Sequence, residues 1–184
     1  PLVHGQLLAL SSESAIALGQ LAQAEADAQA LQALATMQRH PVLQVMALNA
    51  LCMAQMRQGR MAEALDAAQQ AVSQAEALRG QGSARALLVT ALLRLSEAQM
   101  RHLRPHESRD TAERARALSE ALGDLVGQNR ALWLIGSAHF NLGDGDATAD
   151  IAERAIALAE ACGDRLGLGN ALNMRTFGVA DLGF

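Results

Sequence analysis

His102 and His106 stand four residues apart, the spacing at which two imidazoles on one helix can share a metal ion. Pro105 lies between them, where a helix is expected to break, and no third ligand is nearby in the sequence. The pair reads as a solvated turn, and no metal is expected. Asp144-Gly145-Asp146 has the opening of a calcium loop, but Ala149 stands where such a loop needs glycine and Ala155 where it needs glutamate. Gly167-Leu168-Gly169 lacks the third glycine and the preceding strand of a dinucleotide fingerprint. All 15 basic residues are arginine, so no lysine is present for a P-loop, a Schiff base or a kinase-type ATP site. Neither a Gly-x-Ser-x-Gly elbow nor a His-Glu-x-x-His metal site occurs. The expectation is a protein without catalytic residues, cofactor or enzymatic activity.

The remaining polar groups read as structural. Arg101, Arg104, Arg109, Arg114 and Arg116 are interleaved with Glu107, Asp110 and Glu113. That pattern predicts an ion-paired helix face in water, with a phosphate- or acid-binding patch as the alternative. Cys52 and Cys162 give no disulfide framework. Cys52 falls among small core positions and reads as buried and inert.

Such elements need a scaffold, and the composition says which kind. Hydrophobic residues make up 51% of the 184, yet aromatics are 2% and tyrosine is absent. The apolar volume is Ala and Leu, both strong helix formers, while strand formers are scarce. A net charge of −4 without a charged tail does not suggest nucleic-acid binding. No apolar run approaches the ~20 residues that cross a bilayer, and no signal peptide opens the chain. The all-arginine basic set fits a GC-rich bacterial coding sequence. With Pro1 at its start and Phe184 in mid-repeat, the chain reads as a piece of a longer cytoplasmic protein.

Glycine recurs at 40-residue spacing, at Gly19 and Gly59 and again at Gly143 and Gly183. Leu103 takes its place in the intervening unit, after a four-residue insertion. Eleven residues before these marks stand Leu8, Leu48, Leu92, Leu132 and Leu172. The segments 113–124 and 153–164 are identical at nine of twelve positions and share a Gly-Asp ending. A fixed period of this kind marks a helical repeat array.

The register divides the chain into units 1–40, 41–83, 84–123, 124–163 and a half unit 164–184. Each unit is expected to fold as helix A followed by antiparallel helix B, giving about nine helices in a single array. Ser83 is the expected N-cap of the third A helix. Gly123-Asp124 and Gly163-Asp164 are expected to end one helix and cap the next. Leu48, Leu92, Leu132 and Leu172 should be buried against Ala68, Ala112 and Ala152. The last A helix should leave Leu172, Val179 and Leu182 uncovered on one side.

On these residues the chain resembles the tetratricopeptide-repeat family. Unit four matches its pattern at Leu132, Ile135, Gly136, Ala138, Gly143-Asp144, Thr148 and Ala155, and unit two at Leu48, Leu51, Cys52, Ala54, Gly59, Ala64, Ala68 and Ala71. The period departs from the family's 34 residues, the usual first-helix aromatics are mostly Leu, Gln and His, and the terminal proline is replaced by Gly-Asp. This long-period variant resembles repeat arrays of bacterial signalling proteins: nucleotide cyclases, diguanylate cyclases and large ATP-dependent transcription activators. The resemblance implies an all-α solenoid, a right-handed superhelix of helix pairs whose A helices line a concave face. It also implies that His139 is a packed, core-facing residue.

Carried over from the family, the groove positions are Asn49, Met53 and Met56 in unit two, and Leu93, Glu97, Met100 and Arg101 in unit three. Unit four gives Trp133, Ser137, Phe140 and Asn141, and the last helix Asn170, Asn173 and Phe177. Aromatics and Met are frequent anchors of adaptable binding surfaces. The implied function is an interaction or regulatory domain that binds an apolar peptide or helix, from a protein partner or another domain of the same chain. The family's clamp for C-terminal carboxylates needs lysines, which are absent. Three alternatives stay open: the same residues as ordinary core, the array as a spacer or a homodimer pairing through its last helix, or the domain as a small-ligand sensor with its pocket near Trp133. No nucleic-acid or membrane partner is expected.

Overall fold

Long alanine-rich segments separated by single punctuating residues leave helix as the only regular structure available. In the computed structural model, which describes residues 2–78 and 84–180, those segments form α1 (Leu2–Ala17), α2 (Leu21–Gln38), α3 (Pro41–Arg57), α4 (Met61–Ala77) and α5 (Ala84–Arg101). They are followed by α6 (Pro105–Leu122), α7 (Leu125–Asn141), α8 (Gly145–Cys162) and α9 (Arg165–Ala180). The described residues are all-α, nine helices without a strand. Ser83, Leu182, Gly183, Phe184 and the side chain of Val179 lie outside the described residues.

The chain clusters into two compact units, residues 1–98 and 99–184. In the first, α1, α2, α3 and α4 pack consecutively, and α1 also packs on α3. In the second, α6 to α9 pack consecutively, and α7 packs on α9. Each unit therefore pairs an A helix both with its neighbouring B helices and with an A helix one repeat away.

Small residues set these contacts. Ser12 and Ala24 are both fully buried, and the Ser12 hydroxyl donates to the Ala24 carbonyl at 2.8 Å. One to three repeats further on, Cys52, Ala64, Ser96, Ser108 and Thr148 occupy the equivalent positions, all 0% exposed. Thr148 Oγ1 reaches the Gly136 carbonyl at 3.4 Å. With no bulk at the crossing point, the helix backbones approach closely and the larger side chains interlock on either side. Leu31, Leu34, Leu43 and Ala47 form one such cluster, with Leu8 and Met46 packed against it.

Leu48, Leu92 and Leu132 are 3%, 1% and 5% exposed, and Ala68, Ala112 and Ala152 are fully buried. Leu172 departs from this pattern at 38% exposed. Leu48 and Leu132 lie on helices that pack against the B helices α4 and α8. No described helix follows α9, so the equivalent face of Leu172 stays open. The core side of α9 is instead Ala171 and Met174, 1% and 3% exposed.

The turns follow the glycine register. Gly19, Gly59 and Gly143 have φ of 73°, 79° and 77°, and Leu103 fills the same left-handed position with φ 58°. A side chain in that region costs about 1–2 kcal/mol, which glycine avoids. Gly123 and Gly163 end α6 and α8 in the same conformation. Asp124, Asp144 and Asp164 then cap the helices that follow, accepting from the backbone amides of Gly127, Ala147 and Gly167 at 2.8, 3.1 and 2.9 Å.

A candidate binding cleft and an exposed aromatic pair

Because A helices of successive repeats run in one register, positions 40 or 44 residues apart come side by side. In residues 1–98 this assembles a cleft of about 320 Å³ between α1, α3 and α5. Leu2, Val42 and Leu87 line it toward the N-terminal ends of these helices, and Ala9, Met46 and Ala50 continue the apolar wall. Polar side chains lie among them: Gln6 on the first half of α1, and Glu13, Asn49 and Arg94 beside Ile16 and Met53 further along the helices.

Arg94 is a charged residue held almost out of water. Its side chain is 9% exposed, with Nη2 at 3.3 Å from Glu13 and Nη1 at 3.8 Å from Glu97. Asn49 is 7% exposed, and no donor among the described residues reaches its Oδ1. An unsatisfied buried acceptor of this kind costs about 1–3 kcal/mol. Nearby Cys52 is inert: burial pushes its thiol up to about 12, so almost no thiolate forms at neutral pH.

The second feature is in residues 99–184. Phe140 on α7 and Phe177 on α9 are 42% and 45% exposed, with ring centroids 5.2 Å apart at an interplanar angle of 36°. Trp133 lies on α7 two helical turns before Phe140 and is half-buried, as is Ser137 between them. Asn141, Asn170 and Asn173, on the same two helices, are exposed.

The predicted groove residues therefore separate into groups. Asn49 and Met53 line the cleft, and Glu97 joins them indirectly through Arg94. Met56 and Leu93 are core residues, 3% and 4% exposed, because the helices are packed on more than one side there. Met100 is half-buried and Arg101 exposed. Phe140 and Phe177 are brought into contact. The cleft also contains Leu2, Gln6, Glu13 and Arg94, which the family-based reading omitted. One signal was available: Arg94 is a lone charge inside the apolar run Ala91-Leu92-Leu93-Arg94-Leu95.

The other polar groups take structural places. His139 is not fully packed: its side chain is 21% exposed and Nδ1 lies 3.0 Å from Asp144 Oδ2. The Ala147 amide and then His139 hold the Asp144 carboxyl below its usual range. His102 and His106 fall on opposite sides of the α5–α6 turn and do not share a helix face. Arg104, Arg109 and Arg116 pair with Glu107, Asp110 and Glu113 at 3.4, 3.0 and 2.9 Å. That is the ion-paired face expected from their interleaving, and such surface pairs contribute about 0–1 kcal/mol each. Among the described residues no group of His, Cys, Asp and Glu is arranged to hold a metal ion, and no helix is long and apolar enough to cross a membrane. Neither a protein-family model nor a curated protein matches the chain.

Proposed function

We propose that the protein is a non-catalytic interaction module, tetratricopeptide-like in construction, that docks an apolar peptide or amphipathic helix on its A-helix face. The observation that carries this reading is the Phe140–Phe177 pair. Two of the chain's three phenylalanines stand in contact with each other while more than two fifths of each remains in water. A fold whose core is built from Ala and Leu does not need these rings for packing. Large rigid side chains of this kind, on helices that also carry exposed polar groups such as Asn141 and Asn173, are the usual anchors of a peptide-binding surface. The partner is another protein or another domain of the same chain, within a cytoplasmic bacterial signalling protein of the kind the repeat resembles.

Selection from a displayed library of random peptides, with the double variant Phe140→Ser, Phe177→Ser as counter-selection, tests this directly. Enriched peptides should carry large apolar residues at helical or alternating spacing. If the wild type enriches no peptide that the double variant fails to retain, the reading is wrong.

A second reading rests on a separate observation. Leu166 and Leu172, on different sides of α9, are 78% and 38% exposed. These exposed leucines also suit pairing of two copies through their last helices, with the array acting as a spacer. Solution mass across a concentration series separates the two: end pairing requires a dimer that Leu166→Glu dissolves.

A further inference from the structure

We propose that the cleft in residues 1–98 is a small-molecule site, separate from the aromatic surface, for an uncharged ligand with an apolar body and an amide head that donates a hydrogen bond. Its volume of about 320 Å³ lies at the small end of the range of ligand sites, roughly 300–1,000 Å³. Apolar side chains line it throughout. Leu2, Val42 and Leu87 stand near the starts of α1, α3 and α5, and Ile16 and Met53 stand further along α1 and α3. The body of a ligand therefore meets apolar wall wherever it lies.

The charge of the head follows from the ionised groups of the lining. These are Glu13 and Arg94, one of each sign, paired with each other at 3.3 Å. They balance. An ammonium, carboxylate or phosphate entering between the apolar walls would lose its water and find no opposite charge left over for it. A neutral head carries no such cost.

The chemistry of the head follows from the neutral polar groups. Ser12 and Thr90 donate their hydroxyls to the backbone, at Ala24 and Ala86 respectively, and Gln6 is exposed to water. Asn49 differs: it lines the cleft, is 7% exposed, and its Oδ1 receives no hydrogen bond from the described residues. That oxygen can only accept, so the ligand must donate. It is enclosed by the wall, and a turn of the carboxamide about its last, soft torsion brings it to the cleft. The repeat does not require a polar group at this position, since the residues one unit before and one unit after are Ala9 and Leu93. A void left by imperfect packing would be apolar throughout and would not leave a carboxamide without its partner. An amide on the ligand answers that carboxamide with donor and acceptor together, and without charge.

Titration of the whole chain with octanamide, n-octylamine, octanoate and methyl octanoate, followed by backbone amide NMR, tests the proposal. Octanamide should bind one-to-one and shift resonances from α1, α3 and α5. Octylamine and octanoate, which are charged, and methyl octanoate, which has no donor, should each bind about tenfold more weakly or worse, the loss expected for one buried hydrogen bond. Asn49→Leu should bring octanamide down to the level of methyl octanoate while leaving the thermal midpoint unchanged or higher, because it removes an unpaired acceptor without removing volume. Thr90→Phe should fill the cleft from α5 and abolish binding while the helical circular dichroism is retained. Phe177→Ala should leave octanamide binding unchanged, so the peptide-docking reading can fail without this one. Absence of saturable octanamide binding, any of the other three compounds binding as tightly, or an Asn49→Leu variant that still prefers the amide to the ester or loses thermal stability would each overturn the proposal.

Discussion

Phe140 and Phe177 meet at 5.2 Å although they lie on different helices, 37 residues apart. Their contact lies where α9 packs beside α7, at a surface that stays open to solvent. The same two helices are held underneath by Met174, which packs where a side chain on Gly136 would otherwise lie. The pair thus marks the boundary between the interior of the helix layer and the surface it presents.

Leu132 and Leu172 occupy equivalent register positions, with 5% and 38% exposure. Leu132→Ala should lower unfolding stability by about 2–5 kcal/mol, through lost transfer energy and a residual cavity. Leu172→Ala should cost less than half as much. Denaturant titration of both variants checks this, and equal losses would show that Leu172 is covered in solution.

Leu103 carries a left-handed backbone with its side chain 86% exposed. It pays the steric cost of that conformation without gaining burial. Relief of about 1–2 kcal/mol outweighs the extra chain entropy of glycine, about 0.5–1 kcal/mol. Leu103→Gly should therefore raise the thermal midpoint, by an amount equivalent to several tenths of a kcal/mol or more. A lower midpoint in differential scanning calorimetry would contradict the assignment of this turn.

Gly178 lies where α9 crosses α8: a Cβ there would be 2.8 Å from the Ala149 backbone nitrogen. Backbone cannot yield as a flexible side chain does. Gly178→Ala should loosen α9 selectively, seen as faster amide hydrogen exchange in residues 165–180 than in α6. Uniform protection in wild type and variant would mean that the helices do not approach this closely.

Arg60 joins α2 to the start of α4 through Glu25, at 2.6 Å, and Glu63. Gln58 and then Arg60 hold the Glu25 carboxyl below its usual range, and Arg60 does the same for Glu63. A carboxyl lowered in the folded state stabilises the fold above the ordinary carboxylate range and loses that contribution as pH falls through its folded value. Stability should thus decline on acidification below about pH 4.3, the unperturbed Glu value, and Arg60→Ala should flatten the decline. Urea midpoints measured across the acid range give the comparison, and an identical slope in the variant would remove these pairs from the account.

The helices and turns were legible in the sequence because each is written locally. The glycine and Gly-Asp positions specify left-handed turns and aspartate caps within four residues, and Leu103 appears where the period required a glycine. Burial of Leu48, Leu92 and Leu132 follows from the same register. The cleft was less legible. Arg94 and Glu13 are 81 residues apart, and their pairing depends on how closely α1 and α5 approach beside α3. Met56 and Leu93 share the helices of the predicted groove, yet are buried, because a repeat pattern gives the face of a helix more reliably than the depth of its packing.

The central claim is that the exposed aromatic surface of residues 99–184 anchors a partner. Trp133, the only tryptophan, lies on the same helix and serves as the reporter. A peptide selected on the wild type is titrated while Trp133 fluorescence is followed, and the titration is repeated by calorimetry with Phe177→Ala. The account predicts saturable binding that Phe177→Ala weakens by about 2 kcal/mol or more, roughly 30-fold in Kd, with the helical circular dichroism unchanged. Equal affinity of the variant and the wild type would contradict it.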